Sequence, residues 1–401
     1  MVQIVAFFLL TALGIAALAA VCLLALARIC AQIGRRTHQG QLARLKRAAG
    51  LLAAAVICNA ALIALTQLTA STPPIVDEGG NTPENSIAEL TALTLGGRKQ
   101  WISLRGWDRR KPVLLFLAGG PGGTQMAAVR HELAELERHF VVVNWDQPGS
   151  GKSYAAAKTA ELTVDTYIQD GHALTEYLRA RFGQEKIYLV GESWGSALGI
   201  FLVDRYPESY HALIGTAQMV AFVETEQMDY AKAMEIAAAK GDAARVKRLA
   251  ANGMPPYYGR GLTRKSAVYL NYLSAHMAGN PDIHNPGYNT LRDIGSAEYG
   301  LLDKINYVRG VLRTYERVYP QLYPIDLRRD CAKLDVPVYF FVGRHDVNAP
   351  TALVEDYAQV LDAPGKGIVW FEHSGHSPWI NERAKFVQEV LACFSEDPAQ
   401  P

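Results

Sequence analysis

The chain has 401 residues, enough for one large domain or two ordinary ones. Its 40 basic and 39 acidic residues leave a formal net charge of +1, which excludes a polycationic, nucleic-acid-coating protein. Five cysteines and ten histidines show no metal-ligand spacing, so the sequence calls for no metal and no organic cofactor.

The first elements are apolar. Val2–Ala27 carries no charged residue, and neither does Ala48–Ala70. A bilayer core needs about 20 apolar residues in a helix, so each run is long enough to cross. A cleaved signal peptide followed by a buried helix is the alternative, but no basic leader precedes the first run. The loop between them holds Arg28, Arg35, Arg36, Arg44, Lys46 and Arg47 and no acid. Basic loops stay cytoplasmic, so both termini and the rest of the chain are expected on the extracytoplasmic side. With those six cations set aside the remainder is mildly acidic, and no nucleic-acid partner is expected. Residues 1–70 thus read as an anchor of two spans, about 2–27 and 48–70. Residues 71–87, rich in Pro, Gly, Ser and acids, read as a linker.

From residue 88 the pattern becomes that of strands and helices. Two strands flank Gly96-Gly97. Short apolar runs follow in "PVLLFLAGG", "FVVVNWDQPG", "KIYLVGESWG", "VPVYFFVGRHD" and "GIVWFEHSGH". Helical stretches at 124–139, 163–182 and 194–206 separate several of them. Continuous apolar strands alternating with helices imply a mostly parallel sheet covered on both faces. Residues 218–330 break the alternation. They are helical in pattern and dense in tyrosine between 257 and 323, which suits either an ordinary helical subdomain or a cap over a pocket. The core is then 88–217 and 331–401.

The stretch "DQPGSGKS" ends like a phosphate-binding loop, but the first glycine of that motif would fall at Asp146. The segment reads instead as a loop after a strand, with Asp146 held by local hydrogen bonds. "GESWG", 191–195, has a different context. It follows a strand and opens a helix, as a nucleophile elbow requires, with Gly191 and Gly195 where side chains would collide. Ser193 is the candidate nucleophile. In this architecture the acid and then the histidine follow in the chain. Asp346 stands just past a strand end, whereas Asp335 precedes that strand. His376 lies in the loop after the last strand. His373 is the lesser candidate for base, and His345 reads as a structural loop residue. An oxyanion needs donors, here the backbone N–H groups of Trp194 and of Gly120 in "LAGGPGG", with Gly119 second.

Four motifs in order, "GGPGG" at 119–123, "DQPGSGKS" at 146–153, "GESWGS" at 191–196 and "GRHD" with "SGHS" at 343–346 and 374–377, resemble the prolyl aminopeptidase (proline iminopeptidase) family. The resemblance covers roughly 88–395. It implies an α/β-hydrolase fold with an inserted helical cap, and removal of N-terminal residues, often proline, from short peptides. It also implies cap acids that hold the substrate's α-ammonium group, for which Glu224 and Glu226 stand at about the right place; otherwise they are solvated helix surface. Two positions depart from the family pattern: Ala118 replaces its histidine before the glycines, and Pro148 replaces its arginine after Asp-Gln. The two apolar N-terminal runs lie outside that pattern. The expected activity is a membrane-anchored serine aminopeptidase using Ser193, His376 and Asp346 through an acyl-enzyme. An esterase or lipase-like hydrolase of apolar esters, or a binding protein on the same fold, are the alternatives. Expected partners are a small peptide or ester and the lipid bilayer.

Overall fold

A computed structural model describes residues 2–33, 40–285 and 287–394. It divides into two compact units: residues 1–71 with 299–305, and residues 72–298 with 306–401.

In the first unit, α1 (Val2–Ile33) and α2 (Gln41–Leu68) pack antiparallel. Gly14 lies against Ala55, and Asn59 donates to Thr11 Oγ1 at 3.5 Å, so small residues and one polar pair fill the contact. Gln67, the other polar residue of the second run, donates to Asp303 Oδ1 at 3.0 Å. The outward faces are apolar, with Phe8 64% and Leu23 67% exposed. Gln3–Ile33 and Gln41–Leu68 are both long and apolar enough to cross a membrane. Of the basic residues between the runs, Arg28 lies in α1 and Arg44, Lys46 and Arg47 in α2. Arg35 and Arg36 lie outside the described residues.

The second unit is built on an eight-stranded sheet. In chain order its elements begin β1 (Ile87–Leu95), β2 (Arg98–Gly106), β3 (Val113–Leu117), α3 (Met126–Glu132), β4 (Val141–Asp146), α4 (Val164–Phe182), β5 (Ile187–Glu192), α5 (Trp194–Arg205) and β6 (Tyr210–Thr216). Helices follow: α6 (Phe222–Ala239), α7 (Ala243–Asn252), α8 (Leu262–Ala278), α9 (Thr290–Gly295), α10 (Leu301–Arg309, of which residues 301–305 belong to the first unit), α11 (Tyr315–Val318) and α12 (Leu327–Asp330). The sheet resumes with β7 (Val338–Gly343), α13 (Thr351–Val360) and β8 (Lys366–Phe371), and the chain ends in α14 (Pro378–Asn381) and α15 (Arg383–Cys393).

Strand order is β1-β2-β4-β3-β5-β6-β7-β8. The β1–β2 and β2–β4 pairs are antiparallel and all others parallel. Each central strand is buried on both faces, which is why its sequence is continuously apolar. In β3, Val113, Leu115 and Leu117 join one core cluster while Leu114 and Phe116 join the other. Truncating a fully buried ring such as Phe116 to Ala costs about 3–5 kcal/mol. Strand β6 is absent from the sequence-predicted runs. Its segment, "YHALIGT", mixes His211 and two small residues, Ala212 and Gly215, among few β-branched ones, so its local signal is weak.

The order places a topological switch beside β3. The chain leaves β3 for β4 on one side, then jumps across to β5 on the other. Ligands of open α/β sheets bind outside the carboxyl ends of the strands at such a point. The loops after β3 and β5 carry Gly120 and Ser193.

Cys331 is buried, Cys393 half-buried, and both are free thiols.

Candidate active site

Ser193 sits between β5 and α5 with φ 54° and ψ −120°, a conformation that costs free energy for a non-glycine residue. The turn is held by Ser193 N–H donating to Thr216 O at 3.0 Å and by Ser196 Oγ donating to Ser193 O at 2.6 Å. A β-carbon at Gly191 would overlap the carbonyl of Gly195, and one at Gly195 would overlap that of Leu117. Both flanking glycines are therefore dictated by space.

Beyond β7, Asp346 is held by the backbone of its own loop. Its Oδ1 accepts the N–H groups of Asn348 at 2.8 Å and Ala349 at 3.0 Å. His376 Nδ1 lies 3.0 Å from Asp346 Oδ2, which leaves Nε2 as its free nitrogen. Burial alone would lower the pKa of His376. The charge and hydrogen bond of Asp346, with the charge of Glu192, outweigh it and raise the pKa above the ordinary value. His373 turns elsewhere: it is exposed, stacks on His284 at 3.8 Å, and its Nδ1 contacts Asp282 O. His345 bridges loops through its backbone N–H to Ser374 O.

Glu192 joins the serine turn to the histidine loop. Its Oε1 accepts from Ser377 Oγ at 2.9 Å and from Trp379 Nε1 at 2.7 Å, and its Oε2 accepts from Tyr288 at 2.5 Å and from Gln125. The residue before Ser193 is thereby tied to the residue after His376. Sequence reasoning missed Glu192; a carboxylate inside the elbow of a buried strand end was the available signal.

The N–H of Gly119 donates to Gln125 Oε1 at 3.2 Å. Those of Gly120 and Trp194 have no partner among the described residues. Gly120, Ser193 and Trp194 line one small cavity of about 110 Å³. Asp146 is buried nearby, accepting from the Lys152 N–H at 2.7 Å and from Thr124, so it braces the glycine loop. At the two positions that depart from the prolyl aminopeptidase pattern, backbone carbonyls accept hydrogen bonds. Ala118 O takes Gln147 Nε2 at 3.1 Å, and Pro148 O takes the Tyr167 hydroxyl at 2.9 Å.

The two expected cap acids part company. Glu224 is half exposed and pairs with Arg328 at 2.5 Å on the surface of α6. Glu226 is buried and accepts from Tyr269 at 2.5 Å. Burial, offset in part by the Tyr269 and Tyr319 hydrogen bonds, pushes its pKa up to about 7. The acid that lines the Ser193 cavity is one turn further on. Asp229 is 2% exposed, its Oδ1 has no hydrogen-bond partner, and it shares the cavity with Phe222, Tyr315 and Tyr319. Burial, then repulsion from Glu226 and Asp346, holds its carboxyl well above the usual range. The signal for Asp229 was periodicity: Phe222, Glu226, Asp229 and Ala233 share the buried face of α6, and Glu224 does not.

Residues 112–382 match the α/β-hydrolase fold family. The chain belongs to the α/β-hydrolase family. Within it, the chain is 31% identical over 309 residues to the "Probable aminopeptidase YbaC" of Bacillus subtilis (strain 168), covering 77% of this chain and 96% of that protein. It is 26% identical over 294 residues to a proline iminopeptidase of Saccharolobus solfataricus, covering 69% and 83%. The solved proline iminopeptidase of Mycobacterium smegmatis superposes with a TM-score of 0.56 at 18% identity, covering 75% of this chain and 96% of that one. This α/β-hydrolase is thus similar to the prolyl aminopeptidase group over most of its catalytic unit. It is a hydrolase, and its curated relatives are peptidases.

Proposed function

We propose that this α/β-hydrolase is a membrane-anchored serine aminopeptidase that releases one small N-terminal residue, such as proline or alanine, from short peptides. The observation that carries this reading is a buried, unpartnered carboxyl, Asp229, in the same small cavity as Ser193 and two unpaired backbone N–H groups.

Ser193 attacks the scissile carbonyl, and His376 Nε2 takes its proton. Asp346, bound to Nδ1, fixes the tautomer and stabilises the imidazolium. The N–H groups of Gly120 and Trp194 receive the oxyanion at the head of α5. His376 then protonates the departing amine, and water, activated by the same ring, hydrolyses the acyl-enzyme. Asp229, backed by Glu226, holds the substrate's ammonium group. A cavity this small leaves no space for residues before the first, which fits an exopeptidase. Residues 218–330 act as the cap that closes it. An apolar ester brings no cation to Asp229, which disfavours the esterase reading.

The two N-terminal helices anchor the enzyme, and the basic segment between them keeps that end cytoplasmic. The catalytic unit then works outside, so protease added to intact cells should digest it; full protection would contradict the orientation. The activity is tested by parallel panels of proline and alanine arylamides and of neutral acyl esters. Preference for the free-amine amides is expected. Rapid cleavage of neutral esters with inert arylamides would replace the aminopeptidase reading by an esterase.

A further inference from the structure

A larger cleft, of about 400 Å³, opens beside His376. The C-terminal turn of α8 and the loop that follows provide Ala275, Met277, Ala278 and Ile283. Ser274, Asn285, Ser377 and Asn381 are the small polar lining residues, and the last three are committed elsewhere. Asn381 Nδ2 donates to Asn285 O at 2.6 Å and its Oδ1 accepts from Gly375 N–H at 3.1 Å, while Asn285 Nδ2 donates to Ile380 O at 3.3 Å. No Asp, Glu, Lys or Arg lines the cleft among the described residues. Tyr288, also in its wall, is tied to the core through Glu192.

Which side of the reaction this cleft serves follows from the proton path. His376 lines the cleft but not the Ser193 cavity, and its Nδ1 is held by Asp346. The amine leaving the tetrahedral intermediate must lie where Nε2 can reach it. As the C–N bond breaks, the proton that Nε2 took from Ser193 passes to that nitrogen, and the electron pair of the bond leaves with it. The acyl side is already filled by the small cavity that Asp229 lines.

We propose that the cleft between α8 and the His376 loop is the leaving-group subsite, and that it selects peptides whose second residue is uncharged and apolar. This rests on the serine aminopeptidase reading above. The apolar lining gains from burying an aliphatic or methionyl side chain. A charged side chain would lose water there and meet no Asp, Glu, Lys or Arg among the lining residues. The volume lies in the range of small-molecule sites and has room for the second residue of a peptide.

The test uses the full-length protein in detergent micelles with Pro-Leu, Pro-Met, Pro-Asp and Pro-Lys amides. Leu and Met should exceed Asp and Lys in kcat/KM by about tenfold or more, the scale of discrimination one apolar contact provides. Ala275 is exposed on α8, so Ala275→Glu is tolerated by the helix and puts a carboxylate in the cleft. It should raise the Lys-to-Leu ratio by about tenfold. A flat wild-type profile, or an unchanged ratio in the variant, overturns the subsite. Proline methyl ester separates this from failure of the parent reading: wild type should cleave it and Ser193→Ala should not. Ester cleavage surviving in Ser193→Ala, or no hydrolysis of any of these substrates, removes the serine aminopeptidase and the subsite together.

Discussion

Replacing Asp229 by Asn keeps its shape and removes its charge. The carboxyl is 2% exposed, its Oδ1 is unpartnered, and Glu226 stands one helical turn away. A substrate ammonium would supply the missing partner. A hydrogen bond to a charged group in such a site is worth about 1.5–3 kcal/mol. That corresponds to a loss of about 10- to 150-fold in kcat/KM for a proline arylamide. The matching cyclopentanecarboxylic arylamide has the same ring without the amine, and its slower cleavage should change little. Stability should move the other way. The folded pKa of Asp229 is raised, so its contribution is fully present below the unfolded value of about 3.9 and is lost as pH climbs toward the folded value. At neutral pH the amide avoids that loss. Asp229→Asn should then have the higher Tm at neutral pH, with the gain vanishing near pH 4. Arylamide kinetics on both substrates and thermal unfolding at two pH values give the answer. Equal losses on the two substrates, or none on either, would refute the amine-binding role.

His376→Ala should cost several orders of magnitude in kcat, while His373→Ala, at an exposed stacked ring, should change it by less than about twofold. The pH profile of kcat/KM should rise through a group above the ordinary histidine value, because His376 must be neutral to accept the proton. Glu192→Gln should move that limb to lower pH, since the negative charge of Glu192 favours the imidazolium; a fixed limb would contradict that influence. Glu224→Gln breaks a surface ion pair with Arg328, so kinetics should stay within about twofold and stability within about 1 kcal/mol.

Much of this was legible in the sequence because the strands of a doubly covered sheet must be apolar throughout, and because the elbow demands glycine at fixed offsets around Ser193. The contact between His376 and Asp346 joins residues that chain order and strand ends already marked. What stayed hidden depends on geometry that local pattern does not encode. Strand β6 is stabilised by its neighbours β5 and β7 more than by its own composition. That Gln125 occupies the N–H of Gly119 cannot be read from "LAGGPGG", where the two glycines look alike. Glu224 and Glu226 look alike in "FVETEQM", yet the turn of α6 sends one to Arg328 and the other into the tyrosine-lined interior. Asp229 was within reach of helical periodicity, but its empty hydrogen-bonding position depends on what packs around α6 in three dimensions.

In the proposed mechanism Ser193 becomes covalently acylated. The most direct measurement is to treat the full-length protein with a fluorophosphonate, digest it, and locate the adduct by mass spectrometry. A single stoichiometric adduct on the Ser193 peptide is expected, with parallel loss of arylamidase activity and no labelling of Ser193→Ala. Activity retained in Ser193→Ala, or inactivation through an adduct at another residue, would contradict it.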